Sequence, residues 1–265
     1  MNRYNFVDSK GEHYHSLDGR ELIGCTTALG VLGKGGLTWW ASGMALGYGF
    51  GWLNPKKNDP ADCRHMALET LEKIKKLSID DYMKLLADSY KAHNTFKNKK
   101  AKEGIDAHEL CELWIKSILK GKEIEPDKQI EPFVLWCRKN VRRFLWSELH
   151  VYSETLWTGG ICDFGYEDVN GNYGIGDIKN RDKFYPADIF QCGGYDIMLA
   201  ENSGGFDANG EKIFELTKPV MFHAGFPLVG FKEPEISYNV KENKETFAHA
   251  LAIYKAIQFV EKGVK

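Results

Sequence analysis

The stretch that decides the fold is GGICDFGYEDVNGNYGIGDIKN, residues 159–180. Two runs with β-strand composition flank residues 170–172, Asn-Gly-Asn, which is a strong signal for a hairpin between antiparallel strands. The first run carries Asp163, and the second ends in Asp177 and Lys179. Because side chains two positions apart on a strand point to the same face, we expect Asp177 and Lys179 side by side. A fixed ammonium beside carboxylates that hold a divalent metal suits the hydrolysis of phosphodiester bonds.

Other motifs surround this stretch in a fixed order. Gly104 is followed four positions later by His108, GxxD occupies residues 160–163, and Gln191 and Tyr195 form QxxxY downstream of the DxK triplet. The order GxxxH, GxxD, DxK, QxxxY resembles the RecB-like branch of the PD-(D/E)xK nuclease superfamily, whose members include phage exonucleases and CRISPR-adaptation exonucleases. A lone DxK is almost worthless as a motif, whereas four motifs in order with strand–turn–strand context are specific.

The resemblance extends from about residue 20 to about residue 200. Residues 24–32, GCTTALGVL, followed by Leu37, Trp39 and Trp40, are similar to the opening of the phage members. The resemblance implies an α/β fold with a restriction-endonuclease-like core, in which helices flank a central mixed β-sheet and a helical insertion lies in the N-terminal part. We therefore expect a single nuclease domain over residues 1–265. Within it, residues 1–103 would be mainly helical and could arch over the site, and residues 104–265 would form the catalytic core.

Periodicity and turn signals predict the elements of this fold. A hairpin-like start with a turn at Asp18-Gly19 is expected over residues 3–24. The predicted helices are 26–33, 37–52, 61–76, 79–101, 104–120, 126–147, 186–200 and 241–262. The predicted strands are 149–158, 160–169, 172–180, 213–224 and 234–240.

The resemblance also implies a metal site that holds one or two Mg²⁺ or Mn²⁺ ions. The implied ligands are the side chains of His108, Asp163 and Asp177 and the backbone carbonyl of Ile178. Glu154 resembles an acidic residue often found at this place in the family, and it would bind the metal directly, bind it through water, or cap a loop. Lys179 would orient or help deprotonate the attacking water and stabilise the phosphate.

Gln191 and Tyr195 are four positions apart and share one face of a helix. Relatives suggest that the two side chains position the catalytic lysine or the DNA backbone. The alternative is ordinary packing of the helix on the sheet.

Basic residues cluster around the motifs although the formal net charge is −2. One cluster precedes His108, a second lies on the predicted helix 126–147, where 138/142 and 139/143 are i,i+4 pairs, and a third spans the DxK triplet. A charge cluster next to a catalytic motif is typical of phosphate contacts, whereas a single charge run is usually a solvated surface. The predicted nucleic-acid-binding residues are Lys100, Lys102, Arg138, Arg142, Arg181 and Lys183.

Composition excludes several other classes of protein. The hydrophobic fraction of 43% and the aromatic fraction of 13% are typical of a globular chain, and no apolar run reaches the length of about 18 residues that a membrane span needs. The N-terminus is too polar for a secretory signal, and none of the six cysteines forms a CxxC pair. We therefore expect a cytoplasmic protein, in a bacterial host if it is phage-encoded, with mostly buried reduced thiols and no iron–sulfur cluster.

The sequence thus favours a metal-dependent exodeoxyribonuclease of phage or bacterial DNA recombination or repair. Its partner would be DNA with single- or double-stranded ends. The P-loop pattern GxxxxGK[ST] is absent, so the chain would act alone, as a homo-oligomer, or with a helicase or annealing protein. The alternatives are a structure-specific or restriction-like endonuclease, a non-catalytic DNA-binding module on a nuclease fold, and a phosphohydrolase of small phosphate esters.

Overall fold

A computed structural model describes residues 3–9, 12–33, 37–54 and 58–263, and it describes the backbone alone for residues 9, 12, 13, 37–40, 93–106 and 262–263. The chain divides into two compact units. We call Met1–Gly33 with Gly104–Lys265 the sheet unit, and Lys34–Glu103 the helical unit.

The helices are α1 (Cys25–Ala28), α2 (Leu37–Phe50), α3 (Pro60–Ile74), α4 (Ile79–Leu119), α5 (Glu131–Asn140), α6 (Pro186–Glu201) and α7 (Val240–Gly263), with 3₁₀ turns at Leu29–Leu32 and Lys128–Ile130. The strands are β1 (Tyr4–Ser9), β2 (Glu12–Leu17), β3 (Arg20–Glu21), β4 (Ile23–Gly24), β5 (Val141–Ser153), β6 (Thr158–Asp168), β7 (Tyr173–Lys179), β8 (Gly204–Phe206), β9 (Lys212–Glu215), β10 (Val220–Pro227) and β11 (Glu235–Ser237).

The central sheet has the strand order β11-β10-β7-β6-β5-β8-β9, and β4 also pairs with β6. The pairs β10–β7 and β4–β6 are parallel, whereas the neighbouring pairs β5–β6 and β6–β7 are antiparallel. A separate small sheet has the order β1-β2-β3. The central sheet is therefore mixed.

Each face of the central sheet carries a hydrophobic core. On one face, α1, α6 and α7 pack against β5, β6 and β7 through residues such as Tyr195, Phe247 and Ile175. On the other face, the C-terminal part of α4 and all of α5 pack through Trp114 and Phe133 against aromatic side chains of β6 and β10. Since helices cover both faces, most residues of β6 and β7 are buried instead of alternating between buried and exposed.

Within the helical unit, the contacts are local. The Asp59 carboxylate accepts a hydrogen bond of 2.7 Å from the Ala61 N–H and caps α3, whose first turn begins with Pro60. Ser89 Oγ of α4 donates to the Ala45 carbonyl of α2 at 2.5 Å. Gly51 has a φ of +65° at the end of α2, and a Cβ there would lie 2.5 Å from the Met66 carbonyl oxygen. This position therefore requires glycine.

The α/β class and the mixed sheet flanked by helices are confirmed. The hairpin predicted at residues 170–172 joins β6 to β7, with Gly171 at a φ of +86° and the Asp168 carboxylate accepting from the N–H groups of Asn170 and Asn172. That the sheet forms a restriction-endonuclease-like core stays a prediction.

The predicted helix 126–147 exists, but its bounds are wrong: a 3₁₀ turn at Lys128–Ile130 leads into α5, Glu131–Asn140. Helix α5 ends at Asn140, whose side chain donates to the Trp136 carbonyl at 2.9 Å, and Val141 already has extended backbone angles. The residues that follow form β5, because they pair with β6 along its whole length, and Val141, Phe144 and Trp146 are residue types that favour strands. Arg142 and Arg143 therefore do not share a helix face with Arg138.

Other boundaries also differ from the predictions: the strand expected over 149–158 begins at Val141, and the strand expected over 213–224 is two strands, β9 and β10. The expected helices 79–101 and 104–120 are one continuous helix, α4, which ends before Gly121 at a φ of +70°. A single glycine inside a helix costs about 1 kcal/mol, so Gly104 does not suffice to end it. The helical unit comprises Lys34–Glu103 instead of residues 1–103, and its first described helix begins at Leu37; strands β1 to β4 belong to the sheet unit.

All six cysteines are free, and all but the half-buried Cys63 are buried, as the sequence predicted for most of them. In the described part of the chain, no helix combines the length and the hydropathy that a membrane span needs.

Candidate active site

Asp163 lies where strands β6 and β7 separate. Their paired residues run from Glu167–Tyr173 to Phe164–Gly176, and the pairing stops there. In the next position, the Ile178 N–H donates to Asp163 Oδ2 at 2.6 Å. The carboxylate thus takes the place that a backbone carbonyl would occupy in a continuing ladder, and its position is fixed by the fork between the strands.

Two further side chains meet Asp163 from other elements. His108 Nε2, on α4, lies 3.2 Å from Asp163 Oδ2 and 3.8 Å from Glu148 Oε1. Glu148 belongs to β5, where its neighbours Ser147 and Leu149 pair with Phe164 and Cys162, so it lies opposite Asp163. One nitrogen and two carboxylate oxygens of these residues lie within 4.8 Å of one another. We call His108, Glu148 and Asp163 the three-donor group.

Glu148 has an unusual backbone conformation, with a φ of +53°. Trp146 and Leu149 pack into the same core although they are three positions apart, which an unbroken extended strand would not allow. Glu148, whose backbone is left-handed, interrupts the alternation of the strand, so the side chain of Leu149 returns to the face of Trp146. Such a conformation costs a non-glycine residue about 1–2 kcal/mol, and strained residues of this kind occur often at functional sites.

The charges of the three-donor group are strongly coupled. Burial and the nearby Asp163 raise the pKa of Glu148 to about 8. Burial alone would lower the pKa of His108, but Asp163 and Glu148 outweigh it and raise the value to about 9. Burial alone would raise the pKa of Asp163, but His108 outweighs it and holds the value below its usual range. A positive charge between the two carboxylates therefore stabilises the group.

A divalent metal ion fits this arrangement. Glu148 Oε1 is buried and has no hydrogen-bond partner among the described residues. An imidazole nitrogen and two carboxylate oxygens on three separate elements are ligands that Mg²⁺ or Mn²⁺ accepts, the nitrogen favouring Mn²⁺. Such an ion would replace the proton of His108, since a histidine ligand must be neutral.

Asp177 and Lys179 lie side by side on β7, as the two-residue spacing predicted. Lys179 Nζ is 2.6 Å from Asp177 Oδ2, with exposed side-chain fractions of 20% and 0%. Burial raises the pKa of Asp177 to about 7 although Lys179 opposes the shift. Neither oxygen of Asp177 makes a hydrogen bond of ordinary geometry within the described residues, so the contact is an ion pair. Asp177 is not a member of the three-donor group, and its role as a metal ligand stays a prediction.

Gln191 and Tyr195 form a buried pair on α6. Gln191 Nε2 donates to the Tyr195 hydroxyl at 2.5 Å, which fills the i,i+4 relation that the sequence predicted. A Cβ on Gly160 of β6 would lie 2.7 Å from the Tyr195 ring, so the ring packs directly on the strand that carries Asp163. This geometry matches helix–sheet packing, and the catalytic role of the pair stays a prediction.

The prediction for Glu154 needs correction. It lies in the turn after β5, exposed, and its carboxylate accepts hydrogen bonds of 3.0 and 2.9 Å from Arg3. The acidic side chain that β5 brings to Asp163 is Glu148, six positions earlier. Ile178 contributes its N–H to Asp163 and buries its side chain, whereas a ligand role of its carbonyl stays a prediction.

The predicted nucleic-acid-binding residues are scattered. Arg138 pairs with Glu123 at 2.7 Å, and Arg142 contacts Glu167 at 3.4 Å. Arg181 pairs with Asp188 and donates to the Lys183 carbonyl at 2.8 Å. The side chains of Lys100 and Lys102 lie outside the described residues.

Sequence reasoning missed Glu148, which the structure places in the site. The signal existed in principle: once residues 141–153 are read as a strand antiparallel to β6, the position opposite Asp163 is Glu148. The wrong helix over 126–147 hid this register.

The chain was also compared with known proteins. No protein-family model matches it, and the comparison with curated proteins finds no match either.

Proposed function

We propose that this protein is a metal-dependent deoxyribonuclease that hydrolyses phosphodiester bonds from DNA ends. The observation that carries the proposal is the three-donor group at the fork of β6 and β7, with the Asp177–Lys179 pair on the adjoining strand. Carboxylates, an imidazole and a buried ammonium around one point are the groups that metal-assisted phosphodiester hydrolysis needs. The resemblance of the motifs to RecB-like nucleases supports the choice of DNA ends as substrate.

In this proposal, His108, Glu148 and Asp163 hold Mg²⁺ or Mn²⁺. When bound, such an ion would lower the pKa of a coordinated water and offset charge on the phosphate. The Ile178 N–H donates to Asp163 Oδ2, which fixes the position of this carboxylate. His108 Nε2 lies 3.2 Å from Asp163 Oδ2 and 3.8 Å from Glu148 Oε1, so the three ligand atoms are close together.

Lys179 has the second role. Burial alone would lower its pKa, but Asp177 and Asp163 outweigh burial and hold the value above the usual range of a lysine. The side chain therefore stays an ammonium at neutral pH. As a fixed cation it orients the attacking water and stabilises the charge that develops on the phosphate, and the ion pair with Asp177 fixes its position.

The test is degradation of end-labelled linear DNA, single- and double-stranded, in Mg²⁺, Mn²⁺ or EDTA, beside closed circular DNA. We expect metal-dependent loss of linear DNA, no cleavage of closed circles, and loss of activity in Glu148→Gln and Lys179→Met. Lys241→Gln is the matched control, because Lys241 is an exposed lysine paired with Glu245 on α7. Circular dichroism shows whether each variant is folded.

Three outcomes would contradict the proposal. Cleavage of closed circles identifies an endonuclease, and binding of DNA without cleavage in either metal identifies a non-catalytic binding module. Turnover of small phosphate esters without any action on DNA points to a phosphohydrolase.

A further inference from the structure

A second cluster of charges surrounds Glu167, at the end of β6 near the hairpin turn. Arg143 Nε lies 2.6 Å from Glu167 Oε2, and Arg142 Nη1 lies 3.4 Å from Oε1. Lys218 Nζ lies 3.6 Å from the same Oε1. The Glu167 side chain is only 4% exposed, because these three cations cover it.

A bulge in β5 builds this cluster. Val141 pairs with Asp168 and Arg143 pairs with Glu167, so two steps on β5 correspond to one step on β6. On a regular strand, Arg142 and Arg143 would point to opposite faces. The extra residue directs both guanidinium groups to the same carboxylate, and bulges are known for re-aiming side chains next to functional sites.

The cluster has more positive charge than its acidic partner needs. Arg142, Arg143 and Lys218 share one carboxylate, which leaves a formal surplus of two positive charges. The neighbouring Asp168 carboxylate accepts from the backbone N–H groups of the hairpin turn. The exposed side-chain fractions of the three cations are 65%, 58% and 50%. The three side chains are therefore half or more exposed to solvent, while their contacts with Glu167 hold them together.

The contacts that hold the three cations differ in number and length. This difference distinguishes a cation that stabilises the fold from one that is available to a ligand. Arg143 also donates to the Tyr173 hydroxyl at 3.2 Å, and Lys218 donates to the Gly171 carbonyl at 3.3 Å while its ammonium lies 5.2 Å from the Tyr173 ring centre. Arg142 has one long contact and the greatest exposure. Arg143 thus holds Glu167, whereas Arg142 is the cation most available to a ligand.

We propose that Arg142, Arg143 and Lys218 form a phosphate-binding site that anchors the backbone of a DNA strand away from the three-donor group. That the anion is a DNA phosphate rests on the proposed function. Glu167 is four residues from Asp163 along β6, a separation of about 13 Å at 3.3 Å per residue. This equals about four base-pair steps of duplex at 3.4 Å each, so one bound DNA can engage both places.

The experiment measures binding of a fluorescently labelled duplex in EDTA as a function of salt, which excludes cleavage. Arg142→Gln and Lys218→Gln remove the two weakly held cations, and Lys241→Gln is the matched control for loss of one exposed charge. Each loss of a phosphate contact reduces the slope of log Kd against log salt concentration by about 1 and weakens binding roughly tenfold at 0.1 M salt. We expect these changes in both variants and not in the control.

A third variant tests the site in the opposite direction. Glu167→Gln removes the competing carboxylate and is expected to tighten DNA binding several-fold, with Glu154→Gln as the control for the same change of charge elsewhere. If the cluster only ties β5 to the hairpin, Glu167→Gln lowers the thermal stability and leaves Kd unchanged relative to Glu154→Gln.

The proposal is overturned if Arg142→Gln and Lys218→Gln, folded by circular dichroism, bind with the Kd and salt slope of Lys241→Gln. It is also overturned if the unmodified protein does not bind DNA. Binding that depends on Arg142 without cleavage in Mg²⁺ or Mn²⁺ would instead remove the proposed nuclease function and leave the phosphate site standing.

Discussion

Replacing Glu148 by glycine should stabilise the metal-free protein. Glu148 has a φ of +53°, which costs a residue with a side chain about 1–2 kcal/mol. Glycine adopts this conformation freely, although the greater freedom of the unfolded chain returns about 0.5–1 kcal/mol of the gain. The backbone alone therefore contributes a small net stabilisation.

The buried carboxyl group contributes more. Burial and Asp163 raise the pKa of Glu148 from 4.5 to about 8. At 1.36 kcal/mol per pH unit, ionisation in the unfolded chain alone disfavours folding at pH 7 by about 3 kcal/mol. The pKa shift of Glu148 also depends on the charges of His108 and Asp163, and the Glu148 side chain is 22% exposed. We therefore assign about 2 kcal/mol of this free energy to Glu148 itself. Together with the backbone, Glu148→Gly should gain roughly 2–3 kcal/mol at pH 7.

The upward shift of the Glu148 pKa predicts how the free energy of unfolding depends on pH. Below pH 4.5 both states hold the proton and the carboxyl group does not affect stability. As the pH rises toward 8, the unfolded chain loses its proton first, so the wild type is increasingly destabilised. The advantage of Glu148→Gly should therefore increase between pH 5 and pH 8.

The assay is urea unfolding followed by tryptophan fluorescence, in EDTA at pH 5, 7 and 8, and again with Mn²⁺. The wild type should gain about 2.7 kcal/mol from a metal at one hundred times its Kd, and Glu148→Gly should gain much less. Glu154→Gly is the control, since Glu154 is exposed and pairs with Arg3 outside the site. The reasoning is refuted if Glu148→Gly is less stable than the wild type in EDTA at pH 7, if its advantage does not vary with pH, or if metal stabilises both proteins equally.

Three other predictions concern the sheet unit. Lys179→Met should lose about 3 kcal/mol of stability, because it leaves the fully buried Asp177 without its cation. Adding Asp177→Asn should restore most of the loss. Equal stabilities of the single and double variants in urea would contradict this. Burial lowers the pKa of His150 to about 4, so the unfolded chain takes up the proton first and stability should fall by up to about 2 kcal/mol as the pH drops from 6.5 to 4. Thermal melts should show a flatter profile in His150→Gln but not in His249→Gln, an exposed control, and a wild-type slope in both variants would count against the idea. Gly176→Ala should cost about 2 kcal/mol because its Cβ would lie 2.2 Å from the Phe164 ring, whereas Gly30→Ala, with nothing within 4 Å, should be nearly neutral; equal melting temperatures would show that the sheet accommodates the methyl group.

Local rules were sufficient for part of this structure. The Asn-Gly signal gave the hairpin between β6 and β7, and the two-residue period of a strand gave the Asp177–Lys179 pair. Both depend on residues close in sequence, where backbone geometry leaves few alternatives.

The rest depends on pairing between distant segments. Residues 141–147 combine the helix formers Arg142, Arg143 and Leu145 with strand-favouring types, and their conformation is decided by β6, which supplies partners along the whole of β5. The left-handed Glu148 and the bulge at Arg142 both arise from that pairing. Neither leaves a periodic pattern in the sequence: Glu148 becomes recognisable only once residues 141–153 are paired with β6, and the shared contact of the two arginines with Glu167 emerges only from the structure.

The parallel pairing of β4 with β6 has a consequence for synthesis. Ile23 pairs with Thr158, so roughly 135 residues must be translated before β4 meets its partner. At 5–20 residues per second this takes about 7–27 s, far longer than helices need to form. During that time α3 and the first half of α4 can assemble from local contacts, while the unpaired edge of β4 is open to chaperones. β4 is thus synthesised long before β6, and it stays without this partner strand until β6 has been translated.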